Sequence, residues 1–295
     1  MDYIIKNKYL TVAIQKKGAM LWSIKDNSNH EYLWQAIPPY WGDRAPNLFP
    51  CISGMTDGKY VYSGRTYEID FHGFAKDMDF EVDQISDSHI VLSICNTEET
   101  YRQYPFQFQF SIIYRLEGTK IVVTYHVTNN DDKVMYFAVG GHPGFKVPLD
   151  EESVFEEWYL EFDEVKNVKR VQISEECLVT GNLTKLPLTK GVKLPLRHNL
   201  FDNGAIILAD VSQSVTLKSN NSKVAVRITY PDMPYLGIWH QSNTDSPYVC
   251  IEPWSSLPAR NGIVEDLKTQ PGLILLKSKC NYKNQWSIEI INGLK

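Results

Sequence analysis

Three positions in the chain combine a titratable side chain with a local sequence suited to present it. His142 lies in Gly140-Gly141-His142-Pro143-Gly144-Phe145, directly after the apolar run Met135–Val139. Glycines and a proline around one histidine at a strand end describe a rigid loop that presents a side chain. Glu252 closes the apolar run Tyr248-Val249-Cys250-Ile251-Glu252, before Pro253-Trp254. An ionised carboxylate in that company is costly unless it has a partner or a task. His72 lies in Phe71-His72-Gly73-Phe74-Ala75, where glycine allows the backbone to approach something closely. An imidazole and a carboxylate that titrate near neutral pH once coupled make a general acid–base pair. Taken singly, each position also reads as ordinary structure: a hydrogen-bonded turn histidine, or a glutamate at a strand edge. None of them taken alone identifies an enzyme.

Other chemistries lack their motifs. The histidines show no HxH or HExxH spacing and no carboxylate cluster completes a metal shell, so the expectation is no metal and no cofactor. There is no Gly-x-Ser-x-Gly elbow, P-loop or GxGxxG loop, and Gly58-Lys59 reads as a hairpin tip. Cys51, Cys95, Cys177, Cys250 and Cys280 are scattered without a CxxC pair, which reads as reduced thiols rather than a disulfide framework.

The elements that must position these residues are strands. Leu10, Val12 and Ile14 alternate with polar neighbours, and Phe106, Phe108, Phe110, Ile112 and Tyr114 do the same. Ile121–Val127 follows the turn signal Glu117-Gly118-Thr119, which predicts an antiparallel hairpin. Ala205–Leu208, Val224–Tyr230 and Leu273–Leu276 are further β-rich runs, with turn signals between them throughout. Short helices are expected over Glu151–Phe162 and Val264–Thr269. No repeat or linker divides the chain, so residues 1–295 are expected to form one all-β domain, a sandwich or barrel.

Net charge is −5 and the isoelectric point about 5.8. Neither nucleic acid nor an anionic membrane is therefore expected as a partner. No apolar stretch approaches the ~18 residues of a membrane span. The start, Met1–Lys6, lacks a signal-peptide layout, and a cytoplasmic protein acting on a small molecule is expected. Oligomeric state has no signature here.

Six segments then follow in order: Gly18–Ile24, Arg44–Pro50, His72–Lys76, Tyr104–Phe106, Gly140–Phe145 and Cys250–Trp254. Together they resemble the aldose 1-epimerase (galactose mutarotase-like) family, most closely the branch typified by the lactose-operon X protein. The resemblance spans nearly the whole chain. It implies a β-supersandwich with a sugar bound in a cleft across one sheet, and cofactor-independent interconversion of hexose anomers. It implies Glu252 as base, His142 as general acid and His72 as a second histidine that hydrogen-bonds the sugar. On this view an ionised Glu252 raises the pKa of His142 and keeps it protonated.

The chain also departs from the family. Where those mutarotases carry an arginine before the Gly-Lys hairpin, this sequence reads Ile52-Ser53-Gly54-Met55. Arg44 is the candidate replacement, Asp202 the candidate for the family's sugar-binding aspartate, and Trp239 a candidate stacking floor. Lys76 follows His-Gly-Phe-Ala and, with Arg44, could meet a phosphate. Two other functions therefore stay open: a non-catalytic carbohydrate-binding or regulatory module on the same fold, and a hexose-6-phosphate 1-epimerase. A polysaccharide lyase or hydrolase is more distant, because no second carboxylate at a matched separation stands out.

Overall fold

The computed structural model describes residues 2–163 and 168–293. Alternation of apolar and polar residues builds most of it. Strand Phe108–Glu117 pairs antiparallel with Lys120–Asn129 around Gly118, whose φ is +63°. Phe108, Phe110, Ile112, Tyr114 and Leu116 are buried on one face, as period-two packing requires. These strands lie in a nine-stranded sheet, in the order Lys193–Pro195, Trp158–Phe162, Ser214–Ser219, Val224–Thr229, Asn281–Asn292, Lys120–Asn129, Phe108–Glu117, His89–Cys95, Glu81–Ser86.

A second sheet packs over the first. It runs Val179–Lys185, Lys169–Ile173, Ile206–Ala209, Tyr235–Trp239, Tyr248–Trp254, Gly140–Gly141, Asn47–Leu48, with Gly144–Lys146 also paired to Tyr248–Trp254. The main core lies between the sheets. Val249 and Ile251 enter it with Ile206, Leu208, Leu236 and Ile238. The intervening residues Tyr248, Cys250, Glu252 and Trp254 therefore leave the strand on the opposite face. A near-continuous apolar strand thus carries one carboxylate on the side turned away from the core.

The fold is all-β, as its patterning predicts, but both expected helices are absent. Residues 155–157 make one 3-10 turn and Trp158–Phe162 continues as a strand, because Trp158, Leu160 and Phe162 bury at period two against Ser214–Ser219. In the second stretch Glu265–Asp266 pairs parallel with Lys59–Tyr62. Arg260 clasps the buried Glu265 carboxylate through Nε and a terminal nitrogen, each at 2.8 Å. Satisfying that buried charge fixes the chain in extended form. Among the described residues the one α-helix is Glu98–Gln103, with Thr97 and Thr100 in a reciprocal capping box. No helix among the described residues is long and apolar enough to cross a membrane.

The His72 loop is held by close backbone packing. Gly73 has φ +72°, and a Cβ there would lie 2.3 Å from the Phe49 carbonyl oxygen. Gly73→Ala should lower stability by about 2–4 kcal/mol, combining overpacking with left-handed backbone strain. Urea unfolding measures this, and an unchanged midpoint would refute the packing account.

Candidate active site

The register of three short strands brings the two titratable groups together. Gly140 is opposite Trp254 and Gly144 is opposite Cys250. Carrying that antiparallel pairing across the loop sets His142 level with Glu252. The loop is fastened on both sides, since His142 N donates to Pro46 O and Ile251 N donates to Pro143 O. On the other neighbouring strand Gly237 is opposite Glu252, and a Cβ there would lie 2.8 Å from the Trp254 ring and 3.2 Å from Glu252 Cβ. Gly141 is similarly forced, with the Trp286 ring 2.5 Å from where its Cβ would be. Glycine at these positions lets bulky aromatics pack against the strands that carry the pair.

His142 Nε2 lies 3.2 Å from Glu252 Oε2. Both residues are buried, at 8% and 1% exposure, and both line a cleft of about 320 Å³. His142 Nδ1 and Glu252 Oε1 have no hydrogen-bond partner among the described residues. Burial pushes the Glu252 carboxyl well above the ordinary carboxylate range and pulls His142 down to about 4. This corrects the expectation that an ionised Glu252 holds His142 protonated. Desolvation outweighs that attraction, so in the free protein the pair is neutral and its single proton rests on the carboxyl.

His72 joins them at the cleft. Its φ is +66° and its ring meets that of His142 edge to face at 5.4 Å. Ser53 N donates to His72 Nδ1 at 2.9 Å, while His72 N donates to Ser53 O. Nδ1 is therefore an acceptor, which places the ring proton on Nε2. Burial, reinforced by His142 and Lys76, holds the ring well below its usual pKa, so it is a neutral donor.

The remaining predicted residues divide. Lys76 and Trp239 line the cleft, Trp239 meeting the His142 ring at 5.8 Å. Lys76 is ion-paired with Asp77. Arg44 and Asp202 are not among the cleft-lining residues. The Arg44 guanidinium lies over the Trp22 ring at 3.7 Å and donates to Trp22 O and Gln35 Oε1. Its backbone carbonyl accepts from Gly144 N, so Arg44 braces the His142 loop from behind. Asp202 is exposed at the end of the 3-10 turn His198–Phe201. The carboxylate facing the cleft is instead Asp43, one residue before Arg44, with its pKa raised by burial and partly offset by Lys76. Ser53 lines the cleft in the stretch where the resembling family carries its arginine, and Trp41, Phe71, Trp254 and Cys177 complete much of the wall.

The family described as aldose 1-epimerase matches residues 1–266. The chain belongs to the aldose 1-epimerase family. It is 33% identical over 300 residues to protein LacX of Lactococcus lactis subsp. lactis, in both chromosomal and plasmid forms, covering 99% of this chain and 100% of each relative. Among solved structures it is similar to a galactose mutarotase-like protein from Lactobacillus casei, with TM-score 0.93, 31% identity and coverage of 98% of this chain and 100% of that one. A galactose mutarotase related enzyme from Lactobacillus acidophilus gives TM-score 0.94, 32% identity and coverage of 100% and 99%. As an aldose 1-epimerase family member the chain carries the family's all-β supersandwich throughout.

The single proton of the pair has a consequence for stability. Between the ordinary pKa values of 4.5 for the glutamate and 6.5 for the histidine, the folded pair holds one proton on Glu252 and the unfolded pair holds one on the histidine. The pair's contribution is then flat with pH. Above 6.5 the unfolded pair holds none, and as long as the pH is below the raised pKa of Glu252 the folded pair keeps one, so over that range stability falls as pH rises, by on the order of 1 kcal/mol per unit. Urea unfolding at pH 5.5, 7.5 and 8.5, compared with the Glu252→Gln/His142→Asn double variant, should show this relative loss only at the two higher values. A wild-type stability that stays level with the double variant between pH 7.5 and 8.5 would mean that the folded pair carries no proton.

Proposed function

We propose that the protein is a mutarotase, interconverting the α and β anomers of a free aldohexose by opening and reclosing the pyranose ring. The observation that carries this reading is the 3.2 Å contact between His142 Nε2 and Glu252 Oε2 on the cleft face of one sheet. Ring opening needs one group to take the anomeric hydroxyl proton and another to protonate the ring oxygen. Moving one proton along the contact turns the neutral pair into carboxylate and imidazolium without changing the site's net charge. Glu252 then takes the hydroxyl proton as base and His142 gives its proton to the ring oxygen as acid. The anomeric C–O bond to the ring breaks, the aldehyde forms, and the pair is neutral again. Rotation about C1–C2 and the same transfers in reverse give the other anomer. The pair is neutral before the ring opens and again once the aldehyde has formed, so the buried site carries no net charge at either end of the step. Protons alone are moved, and no cofactor enters the balance.

The surrounding residues suit a neutral sugar. His72 Nε2–H is a fixed donor for a hydroxyl, Asp43 an acceptor, and Trp41 and Trp239 offer apolar faces for C–H groups. Lys76 is already engaged by Asp77, which also pairs with Lys17 at 3.2 Å, and Asp43 stands nearby. Two carboxylates against two lysines offer no surplus positive charge for a phosphate dianion. All five cysteines are free thiols, in keeping with a reaction in the reducing cytoplasm.

Magnetisation exchange between anomers, followed by NMR, tests the chemistry. Glu252→Gln should reduce turnover by about 10²–10⁴ with sugar affinity little changed, the usual worth of one positioned proton-transfer group. His72→Asn should weaken affinity relatively more than turnover. Equal turnover in wild type and Glu252→Gln at saturating sugar would mean that Glu252 is not the base, and no exchange above the buffer-catalysed rate with any aldose or aldose phosphate would leave a sugar-binding module as the reading. Glucose should also be turned over in preference to glucose 6-phosphate, and the opposite preference, lost on Lys76→Ala, would overturn the assignment to neutral sugars.

A further inference from the structure

The sheet face that carries the acid–base pair holds a third donor that the proposed reaction does not use. Cys250 precedes Glu252 by two residues on one strand, so both side chains leave the sheet on the same side. It is fully buried and unoxidised. Its strand neighbour is Gly144, where a Cβ would lie 2.9 Å from the Trp41 ring, so the aromatic wall of the site packs directly beside Cys250. One donor atom each from His142, Cys250 and Glu252 lie within 4.8 Å of one another. Small rotations bring such atoms to the separations of a tetrahedral zinc shell, whose bonds run about 2.0–2.3 Å. Independently, His142 Nδ1 and Glu252 Oε1 lack partners although their residues are at least nine-tenths buried.

We propose that His142, Cys250 and Glu252 form a binding site for one Zn²⁺-class ion, entered from the cleft, and that its occupancy shuts the site down. A thiolate, a carboxylate and a neutral imidazole cancel the charge of a dication, so the buried complex is neutral. The mixed sulfur, nitrogen and oxygen set suits a borderline-soft ion and not Mg²⁺ or Ca²⁺. Three protein ligands leave a fourth position open toward the cleft. Binding displaces the thiol proton and the carboxyl proton, so affinity falls as pH falls. The ion takes the lone pairs that would move the sugar's protons, which makes inhibition competitive with sugar. This last consequence rests on the mutarotase reading, whereas binding itself does not.

The test uses chelator-stripped protein titrated with Co²⁺ alone, then with Zn²⁺. Co²⁺ should bind one to one with a thiolate-to-cobalt charge-transfer absorption, and Zn²⁺ should displace it. Cys250→Ser should abolish that absorption and weaken Zn²⁺ binding by calorimetry at least ~10-fold, since it removes a direct ligand. Anomer exchange by the metal-free variant should persist, and EDTA should restore exchange in zinc-treated wild type. Should Cys250→Ser fail to fold, Glu252→Gln read by the same titration serves in its place, with the same loss of affinity expected. Absence of the absorption in wild type, or unchanged Zn²⁺ affinity in the folded variant, overturns the proposal. Metal binding without anomer exchange in the metal-free wild type would keep the ion site and discard the mutarotase reading. Exchange without metal binding would do the reverse.

Discussion

Desolvation of one carboxyl group beside one imidazole governs this molecule. Glu252 is 1% exposed and His142 8%. With so little water to hold charge, the pair keeps one proton and no net charge. Much of the local architecture can be understood as keeping that environment dry and the two side chains level. Trp41, Trp239 and Trp254 wall the cleft, with glycines at 140 and 237 letting Trp254 come close and Gly144 doing the same for Trp41.

The loop that carries His142 is held from behind by a buried polar network. The Asn47 side chain donates to the carbonyls of Gly18 and Ala19 and accepts from the Tyr125 hydroxyl, which also lies 3.1 Å from Gly140 O. Tyr125 belongs to the nine-stranded sheet, so a side-chain bridge crosses the core between the two sheets. Buried polar groups satisfied in this way specify one arrangement, because any shift leaves several of them unpaired. Arg44 adds a second brace through its backbone bond to Gly144.

Much of this was legible in the chain. Alternating Phe108 to Leu116 reads as a half-buried strand because period two is a local property. Gly140–Phe145 and Cys250–Trp254 read as site segments because glycine, proline and a lone carboxylate in apolar company are each unusual. Legibility stops where a side chain's direction depends on distant contacts. Asp43 and Arg44 are adjacent, and only the folded loop shows that the carboxylate faces the cleft while the guanidinium packs on Trp22. The Ser53–His72 hydrogen bond fixes a tautomer across 19 residues of sequence. The direction of the His142 shift is hidden for the same reason: attraction to Glu252 is legible in the motif, but the depth of burial is not. Glu151–Phe162 reads locally as a helix, and it is the distant pairing with Ser214–Ser219 that makes Trp158–Phe162 a strand.

The alignment of His142 with Glu252 is set by main-chain pairing on either side of the loop, Gly140 with Trp254 and Gly144 with Cys250. Backbone hydrogen bonds are indifferent to most side chains. Substitutions can therefore accumulate through the sheets without disturbing the pair, provided the few glycines and the anchor network stay. The Lactobacillus casei structure fits that account, superposing at TM-score 0.93 with 31% identity. Ancestry in such a molecule is stored in its geometry, and its spelling is free to drift.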